Sequence, residues 1–390
     1  MKSLTPTYTY GTHRLISPEQ TLSYVTPMLE ECGITRCASV TGLDVDLGVP
    51  TYCAIRPKGR VLQTSSGKGL TDESAKVSAL MEAIELHHAE NPEPEHLRSL
   101  SLNSLCENNF YAVEPQRLPG YYDNYFSNRY VTDWVMGEEL LSQQAIWVPA
   151  SAVYFCEPSL YRTSTNGLAS GNHLVEATLH ALYELIERDA ISKLDIQGRL
   201  TIRENCKVID LMTILDNRLQ NIIHKIENAE SKLVLLWVPS DIPVHTFWAI
   251  LLNKAPFSPM STFNTGCGAH LDIKVAAARA VTEAIQSRLT LIHGSRDDII
   301  TKPIYRAEDT LSSPAYRYFD HLESNFSWRS IEEQVVFRSE NLLDAYDYLV
   351  SEISKAGHNE IIRVNLTKPK LNIPVVKVIV PSFRFNRELF

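Results

Sequence analysis

Residues 171–188 of the chain read GNHLVEATLHALYELIER, and two further segments of the sequence repeat this pattern. They are GLTDESAKVSALMEAIE at 69–85 and, with two extra residues, GAHLDIKVAAARAVTEAIQSR at 268–288. When Glu82, Glu184 and Glu283 are aligned, an alanine three residues earlier and an isoleucine two residues later also align in all three segments. The repeat therefore extends to residue identity as well as to polarity.

Each segment has the periodicity of a helix that carries one polar stripe. Residues i, i+4 and i+7 share a helix face at about 3.6 residues per turn. The three stripes are Ser78, Glu82 and Glu85; His180, Glu184 and Glu187; and Arg279, Glu283 and Gln286. A solvent-facing stripe on a packed helix would give the same pattern. However, the other faces are mostly alanine, leucine, valine and isoleucine, which predicts buried helices, and a buried carboxylate requires a cation.

A glycine-containing turn precedes each predicted helix, at 66–69, 169–172 and 266–269. Glycine allows a ligand to approach the backbone closely, and the free N–H groups of a helix N-terminus favour an anion. The same turns also occur in ordinary strand-to-helix connections. None has the P-loop spacing, so a nucleotide bound here would be held in another way.

Clustered carboxylate and amide oxygens are suited to Mg²⁺, a hard ion, and a nucleoside triphosphate brings such ions with it. Arginines near the repeats would then contact the phosphates. The candidates are Arg188, Arg279 and Arg288, with Arg14 as a further one near the N-terminus. Carboxylate, amide and arginine side chains on these three helices would therefore suit a nucleoside triphosphate bound with Mg²⁺.

At these residues the chain resembles the YcaO superfamily of ATP-dependent enzymes that modify the peptide backbone. The resemblance spans most of residues 10–300. The matching motifs are Ser78-x3-Glu82-x2-Glu85, Asn172-x3-Glu176-x7-Glu184-x2-Glu187-Arg188 and Arg279-x3-Glu283-x2-Gln286-x-Arg288.

The resemblance implies an α+β fold with mixed and antiparallel sheets, in which carboxylate-bearing helices surround the nucleotide. It implies Mg²⁺ ligands among the glutamates of the motifs, which are Glu82, Glu85, Glu176, Glu184, Glu187 and Glu283. It implies nucleotide contacts from the remaining polar positions, which are Ser78, Asn172, Arg188, Arg279, Gln286 and Arg288.

The last residues of the sequence bear on the branch of the family. Members that form azolines with a partner protein commonly end in Pro-x-Pro-x-Pro, whereas this sequence ends PSFRFNRELF at 381–390. In this respect it resembles the branch that works with TfuA-type partners and is associated with thioamide formation. The resemblance implies that a backbone amide oxygen attacks the γ-phosphate of ATP, after which phosphate leaves in place of water. A sulfur nucleophile would then give a thioamide, and a neighbouring Cys, Ser or Thr would give an azoline.

Two alternatives stay open at this point. One is an azoline-forming cyclodehydratase of a ribosomally synthesised peptide. The other is a nucleotide-binding accessory factor for the modification of a ribosomal protein, although complete carboxylates on all three helices favour catalysis. The sequence assigns no general base, peptide substrate or sulfur source, and a homodimer is expected from the family resemblance only.

Apolar runs between the helices predict strands. The runs at 232–239 and 244–253 are typical of a hairpin, and further strands are predicted at 148–155, 360–366 and 374–380. Strands mixed with helices without regular alternation indicate an α+β fold. We expect a catalytic core over residues 1–300, a C-terminal extension of the same domain over 301–390, and a loop at 91–118.

The composition favours a cytoplasmic protein that binds neither nucleic acid nor a membrane. The 390 residues include 46 acidic and 37 basic ones, which gives a net charge of −9, and no basic run occurs. There is no apolar leader and no run of 18 apolar residues. Seven cysteines without a Cys-x2-Cys pair indicate free thiols in a reducing compartment. Cys267, in the third glycine turn, is interpreted as a small buried residue, with sulfur handling as the alternative.

Overall fold

The computed structural model describes residues 4–45, 47–122, 126–162, 164–196, 199–254, 263–295, 314–334 and 337–386. The helices in these ranges are α1 Pro18–Val25, α2 Asp72–Glu90, α3 Leu102–Glu107, α4 Leu174–Ser192, α5 Ile202–Asn205, α6 Asn217–Asn228, α7 Ile273–His293, α8 Pro314–Asp320, α9 Trp328–Glu332 and α10 Leu342–Lys355. The strands in these ranges are β1 Arg36–Ser39, β2 Thr51–Ile55, β3 Thr64–Lys68, β4 Leu97–Ser101, β5 Val131–Glu139, β6 Gln144–Pro149, β7 Leu168–Ser170, β8 Asp195–Ile196, β9 Arg199–Leu200, β10 Lys207–Asp210, β11 Ser231–Val238, β12 His245–Asn253, β13 Phe263–His270, β14 Phe326–Ser327, β15 Ile362–Asn365 and β16 Val375–Ile379.

The larger strands form three sheets. One has the order β1-β2-β3, the second β13-β12-β11-β10-β14, and the third β4-β5-β15-β16-β7 with β6 also paired to β5. Pairing is antiparallel except between β10 and β14. The expected α+β class with mixed and antiparallel sheets is confirmed.

Each of the three sequence repeats begins in, or directly after, a strand at the edge of one of the three sheets. The strands β3, β7 and β13 each lie at the edge of a sheet and each lead into one of the long helices α2, α4 and α7. A strand at a sheet edge has unpaired N–H and C=O groups on one side. The three repeats therefore bring three open strand edges, and not only three helices, to the same region.

Strand and helix lie unusually close within two of these units. A Cβ atom on Gly67 would lie 2.0 Å from the backbone nitrogen of Ala79, and one on Gly266 would lie 2.1 Å from that of Ala284. Only glycine on the strand fits this separation, and alanine on the helix keeps the contact short. The glycine and alanine positions of the repeat thus set the distance between strand and helix.

Polar side chains fix where these helices begin. Thr71 accepts a hydrogen bond from the backbone N–H of Ser74, and the Ser74 hydroxyl accepts one from that of Thr71, which forms a capping box at α2. Asp272 accepts hydrogen bonds from Lys274 and Val275 at the start of α7. The helix registers, and hence the directions of the polar stripes, are determined locally by the sequence.

Two of the strand and loop predictions need correction. The predicted hairpin is confirmed as β11 paired to β12. The predicted strand at 148–155 is wrong over most of its length, because β6 ends at Pro149 and a 3₁₀ turn follows at Ala150–Ala152. The predicted loop at 91–118 contains β4 and α3. Its polar composition misled the prediction, since only one residue of β4, Ser101, is buried and only Leu102 and Leu105 of α3 are buried.

The C-terminal part of the chain supplies two inner strands of the third sheet. The strands β15 and β16 lie between β5 and β7, and α10 packs in one apolar cluster with α4. The proposed boundary between residues 300 and 301 lies outside the described residues. No helix in the described part of the chain is long and apolar enough to cross a membrane.

Candidate active site

A cavity of about 850 Å³ lies where the three repeated helices meet. Its wall also includes the N-terminal segment around residues 8–21 and the three glycine turns. Among the polar residues that the helices contribute to its lining are Ser78, Glu82, Glu85, Glu176, His180, Glu184, Glu187, Arg188, Arg279, Glu283 and Gln286. The three polar stripes therefore face a single cavity.

Two carboxylates are held in place by the open edge of β7 and the residue before it. Oε1 of Glu85 accepts hydrogen bonds from the backbone nitrogen of Ser170 at 2.8 Å and from its hydroxyl at 2.6 Å. Oε1 of Glu184 accepts one from the backbone nitrogen of Gly167 at 3.4 Å. The second oxygen of each carboxylate makes no hydrogen bond within the described part of the chain. Each side chain is thus positioned by one oxygen while the other is available to a ligand.

Helix α7 makes corresponding contacts to β13 and β3. Oε1 of Glu283 accepts a hydrogen bond from the backbone nitrogen of Cys267 at 3.3 Å, and its Oε2 accepts one from Nζ of Lys68 at 2.6 Å. Nε2 of Gln286 donates to the backbone oxygen of Ser66 at 2.6 Å. The amide is thereby fixed, and its Oε1 is buried without a hydrogen-bond partner among the described residues. A buried carbonyl oxygen in this state is a ready ligand for a hard cation.

The carboxylates repel one another in a poorly solvated space. Burial, opposed by the Ser170 hydrogen bonds and reinforced by Glu82 and Glu184, raises the pKa of Glu85 to about 8. Burial and the neighbouring Glu283 raise the pKa of Glu187 to about 7. Burial favours protonation of Glu283 too, but Lys68, Arg188 and Arg279 together outweigh it, and the pKa of Glu283 is lowered. More negative charge is gathered here than the nearby cations neutralise, so the cluster fits a bound divalent cation.

One group within this cluster has metal-ligand spacing. The ligand atoms of Glu187, Cys267 and Glu283 all lie within 4.8 Å of one another. Burial, together with the two carboxylates, raises the pKa of the Cys267 thiol well above its usual value. The sulfur is therefore protonated at neutral pH and is a weak ligand, which leaves the carboxylate oxygens as donors for a hard ion such as Mg²⁺. This position agrees with the interpretation of Cys267 as a small buried residue.

Cationic side chains complete the cavity wall. Nε of Arg188 lies 3.5 Å from Oε1 of Glu187, and the carboxylates of Glu187 and Glu184 outweigh burial and raise the pKa of Arg188. Nη2 of Arg279 lies 3.3 Å from Nε2 of His180, and Nε of Arg279 is buried without a hydrogen-bond partner among the described residues. These guanidinium groups suit the phosphates of a nucleotide.

Asn172 and Glu176 have a different local role from the other motif residues. Oε1 of Glu176 accepts hydrogen bonds from Nη1 of Arg14 at 3.1 Å and from both nitrogens of Asn172, and Oε2 accepts one from the backbone nitrogen of Leu15 at 2.9 Å. The amide oxygen of Asn172 accepts one from the hydroxyl of Thr21 at 3.1 Å. Both oxygens of Glu176 are engaged in attaching the N-terminal segment to α4, so the metal role predicted for it stays a prediction.

Arg288 is the predicted site residue that does not line this cavity. Its Nε lies 2.8 Å from Oδ2 of Asp44, and Nη1 donates to the hydroxyl of Ser231 at 3.4 Å. Both members of the ion pair are only 4% exposed. Arg288 follows Gln286 by two residues, which is about 200° around a helix, so the two side chains leave α7 on opposite sides. A phosphate-binding role does not fit this position.

Lys68 is a cavity residue to which sequence reasoning assigned no role. It ends β3 between Gly67 and Gly69, and its ammonium group reaches across the cavity to α7. The Gly-Lys-Gly sequence was an available signal, because a lysine between two glycines at a strand edge has space to project into a site. Its contact to Glu283, 215 residues away, had no counterpart in the sequence pattern.

An α+β fold in which three helices direct carboxylates into one cavity, opposite arginine and lysine, is that of a metal-dependent nucleotide-binding protein. The chain belongs to the YcaO family: the family model described as YcaO cyclodehydratase, ATP- and Mg²⁺-binding, matches residues 66–384. This membership confirms the sequence-based resemblance and the expected ATP and Mg²⁺ as cofactors of the family.

The chain is also similar to individual proteins and, in fold, to solved structures. The chain is 32% identical over 381 residues to an uncharacterised protein in the tfuA 3′ region of Rhizobium leguminosarum bv. trifolii. The match covers 96% of this chain and 89% of that protein. It is 30% identical to an uncharacterised protein of Methanothermobacter thermautotrophicus over 94% of each chain. The YcaO of Methanopyrus kandleri, solved with AMPPCP and Mg²⁺, has a similar fold, with a TM-score of 0.78, 22% identity and coverage of 97% of this chain and 95% of that one. A heterocyclase solved in complex with substrate and cofactor has a TM-score of 0.81 at 22% identity over 99% of this chain and 54% of that one.

Proposed function

We propose that the protein uses ATP and Mg²⁺ to activate a backbone amide of a peptide or protein for conversion to a thioamide, together with a TfuA-type partner. The observation that carries the ATP-dependent part is that Glu85, Glu187 and Glu283, from three different helices, line one cavity. There the acidic side chains outnumber the nearby cations, and repulsion between them helps to raise the pKa values of Glu85 and Glu187. When all of its carboxylates are ionised, such a cluster needs a divalent cation to be stable.

The residues divide into those that hold the metal and those that hold the phosphates. Glu82, Glu85, Glu184, Glu187 and Glu283 would bind Mg²⁺, Glu85 and Glu184 through the oxygens that Ser170 and Gly167 leave available. Ser78, Arg188, Arg279 and Lys68 would bind the nucleotide, and the buried Oε1 of Gln286 would be a further ligand of Mg²⁺. Guanidinium and ammonium groups that are already positioned stabilise charge at the phosphates without reorganising during the reaction.

Mg²⁺ and ATP, when bound, supply a phosphoryl group that makes the amide oxygen a leaving group, so that hydrogen sulfide or an equivalent sulfur donor replaces it and ADP, phosphate and the thioamide result. The replacement is redox-neutral and needs no oxidant. The side chains of the cavity orient the reactants, and the glycine turns let the backbone approach the phosphates closely. The general base is left unassigned.

The thioamide reading is supported by the relative from the tfuA 3′ region, which matches nearly the whole chain. Because that relative is encoded beside tfuA, we infer that this protein acts together with a TfuA-type partner. On this proposal the partner supplies either the sulfur or the substrate.

Azoline formation is the second candidate. It is favoured by the family description as a cyclodehydratase and by fold neighbours named as a heterocyclase and as the E. coli microcin synthetase complex McbBCD, the latter with a TM-score of 0.61 at 17% identity. In that reaction the nucleophile is a side chain of the peptide itself, so no external sulfur is consumed.

Mass spectrometry of the product separates the two candidates. The protein is incubated with Mg²⁺, ATP, sulfide, a TfuA-type partner and a peptide or protein encoded beside them. A mass gain equal to replacement of oxygen by sulfur supports thioamide formation, and loss of one water supports the azoline. ADP formation that does not require Mg²⁺ would contradict both.

A further inference from the structure

A second cavity, of about 660 Å³, adjoins the nucleotide cavity. The two share a wall of side chains at their boundary, made by Thr12, Arg14, Glu176, His180 and Arg279. The second cavity extends from this wall towards α10 and the segment before it, where Gln334 and Glu340 are exposed. It therefore extends from exposed residues to the wall that carries Arg279, which is proposed to bind a phosphate.

Uncharged rings and apolar side chains line the middle of this cavity. Burial lowers the pKa of His245 to about 4 and holds that of His270 well below its usual value, so both imidazoles are neutral. The ring of Tyr183 lies 4.5 Å from that of His270 between centroids. Further lining comes from apolar residues, which are Leu179, Leu271, Ile273, Leu342 and Ala345.

The two neutral imidazoles have unused hydrogen-bonding capacity. Nδ1 of His270 accepts a hydrogen bond from the backbone nitrogen of Asp272 at 2.9 Å, so its proton is on Nε2, which has no hydrogen-bond acceptor in the described part of the chain. His245 is only 5% exposed, and its ring makes no hydrogen bond to any described residue. Buried polar groups of this kind are ordinarily satisfied by a ligand or by water.

The charged side chains of the lining balance one another, since four basic residues face four acidic ones, which are Arg14, Lys274, Arg279 and Arg338 against Glu176, Asp272, Glu332 and Glu340. Lys274 lies 3.3 Å from Glu332, and Nε2 of His13 lies 3.7 Å from Asp272. At the shared wall Arg14 is paired with Glu176, as described above. A lining without net charge, with apolar side chains and neutral donors and acceptors, fits an uncharged, amphipathic ligand better than an anion.

We propose that this second cavity binds an extended segment of the peptide substrate, with the amide to be modified placed at the wall shared with the nucleotide cavity. A peptide backbone is uncharged and offers alternating N–H and C=O groups, which match the donor on His270 and the unused ring nitrogens of His245. A volume of about 660 Å³ lies within the roughly 300–1,000 Å³ of pockets that enclose compact ligands. The inference rests on the proposed function, since it names the place of the peptide relative to ATP.

The imidazole resonances of the protein test this directly. The probe is N-acetyl-trialanine amide at millimolar concentration, added to full-length protein that contains ¹³C-labelled histidine and is saturated with AMPPCP and Mg²⁺. The signals are assigned with His245→Gln and His270→Gln. We expect the signals of both histidines to shift with the peptide and not with the same concentration of inorganic phosphate.

Two substitutions on one helix supply the control. Ala345→Leu fills the cavity and is expected to abolish the shifts, whereas Ser351→Leu, at an exposed position of α10, is expected to keep them. Should Ala345→Leu fail to fold, Gln334→Trp at the cavity mouth replaces it. Nucleotide binding is measured in every sample, so that loss of the ATP site is seen separately from loss of the peptide site.

Absence of any shift with the peptide would overturn the proposal. So would shifts caused by phosphate alone, because they would make the cavity an anion site. Persistence of the peptide shifts in Ala345→Leu would also overturn it, since the peptide would then bind elsewhere. Failure of AMPPCP to bind the wild type would instead contradict the proposed function itself.

Discussion

The ammonium group of Lys68 lies 2.6 Å from Oε2 of Glu283, so that the strand before the first repeated helix is joined to the third repeated helix across the cavity. Gln286, one turn further along α7, makes a second connection to the same strand through Ser66. In both contacts a group on the strand before the first repeated helix, the Lys68 ammonium or the Ser66 carbonyl, holds a polar side chain of the third repeated helix in place. The site is therefore a property of the three units together.

Lys68→Met tests whether the lysine supports nucleotide binding. The substitution leaves Glu283 without its closest cation. It also removes one of the positive charges that are proposed to bind the phosphates of the nucleotide. We expect the affinity for AMPPCP and Mg²⁺ to fall about 10- to 100-fold, since hydrogen bonds to charged groups contribute about 1.5–3 kcal/mol. Lys76→Met, on the same unit but outside the cavity lining, is the control. Unchanged affinity in Lys68→Met would restrict the lysine to a structural role.

Arg288→Met is expected to affect stability and not nucleotide affinity. Removal of one member of a buried ion pair costs about 3–5 kcal/mol because the remaining charge, here on Asp44, is left uncompensated. Chemical denaturation measures this loss, and the double variant Asp44→Asn/Arg288→Met is expected to regain part of it. A folded Arg288→Met protein with clearly weaker nucleotide binding would show that the arginine acts at the site after all.

Gly266→Ala is expected to disrupt the contact between β13 and α7. The added Cβ would lie 2.1 Å from the backbone nitrogen of Ala284, so strand and helix must separate. Overpacking of this kind costs about 1–3 kcal/mol or more, and the displaced strand would carry Cys267 away from Glu283. Gly42→Ala is the control, since no atom lies within 4 Å of its Cβ position. Equal melting temperatures for the two variants would contradict the tight packing.

The carboxylate cluster predicts an inverse dependence of stability on pH. Glu85 and Glu187 have raised pKa values of about 8 and about 7 against an ordinary 4.5. The folded state then binds more protons than the unfolded chain, so the free energy of unfolding falls as pH rises towards 8. Burial lowers the pKa values of His88 and His245 from 6.5 to about 4. These two residues therefore increase the stability of the folded state as pH rises only up to about 6.5, and have little effect on the slope above it.

We therefore expect the melting temperature of the nucleotide-free protein to fall between pH 6.5 and pH 8, the window set by these groups. Added Mg²⁺ should raise it more at the upper end, because the ion binds ionised carboxylates. Differential scanning calorimetry makes the measurement, and Glu85→Gln should flatten the slope. A melting temperature that rises across this window without Mg²⁺ would contradict the repulsive cluster.

The helices of the site were predictable because their signal is local. Periodicity over about twenty residues, together with caps such as Thr71 and Asp272, is enough to fix where α2 and α7 run and which face is polar. Arg288 shows the limit of motif matching, since helix geometry alone already directs it away from Gln286.

Contacts between the repeats could not be predicted in the same way. Glu85 and Ser170 are 85 residues apart, and their pairing depends on which strand lies at the edge of its sheet. That order is set by β15 and β16, from the far end of the chain, which occupy the inner positions of the third sheet. No pattern within the repeats carries this information.

The central claim is that the three repeated helices form one nucleotide site, and calorimetric titration of AMPPCP with Mg²⁺ tests it most directly. The proteins compared are the wild type, the isosteric variants Glu82→Gln, Glu187→Gln and Glu283→Gln, one from each helix, and Glu73→Gln at an exposed position of α2. We predict Mg²⁺-dependent binding to the wild type and to Glu73→Gln, and at least about tenfold weaker binding, or 1.4 kcal/mol, in each of the other three. Wild-type affinity in all three cavity variants, or no binding to the wild type, would contradict the claim.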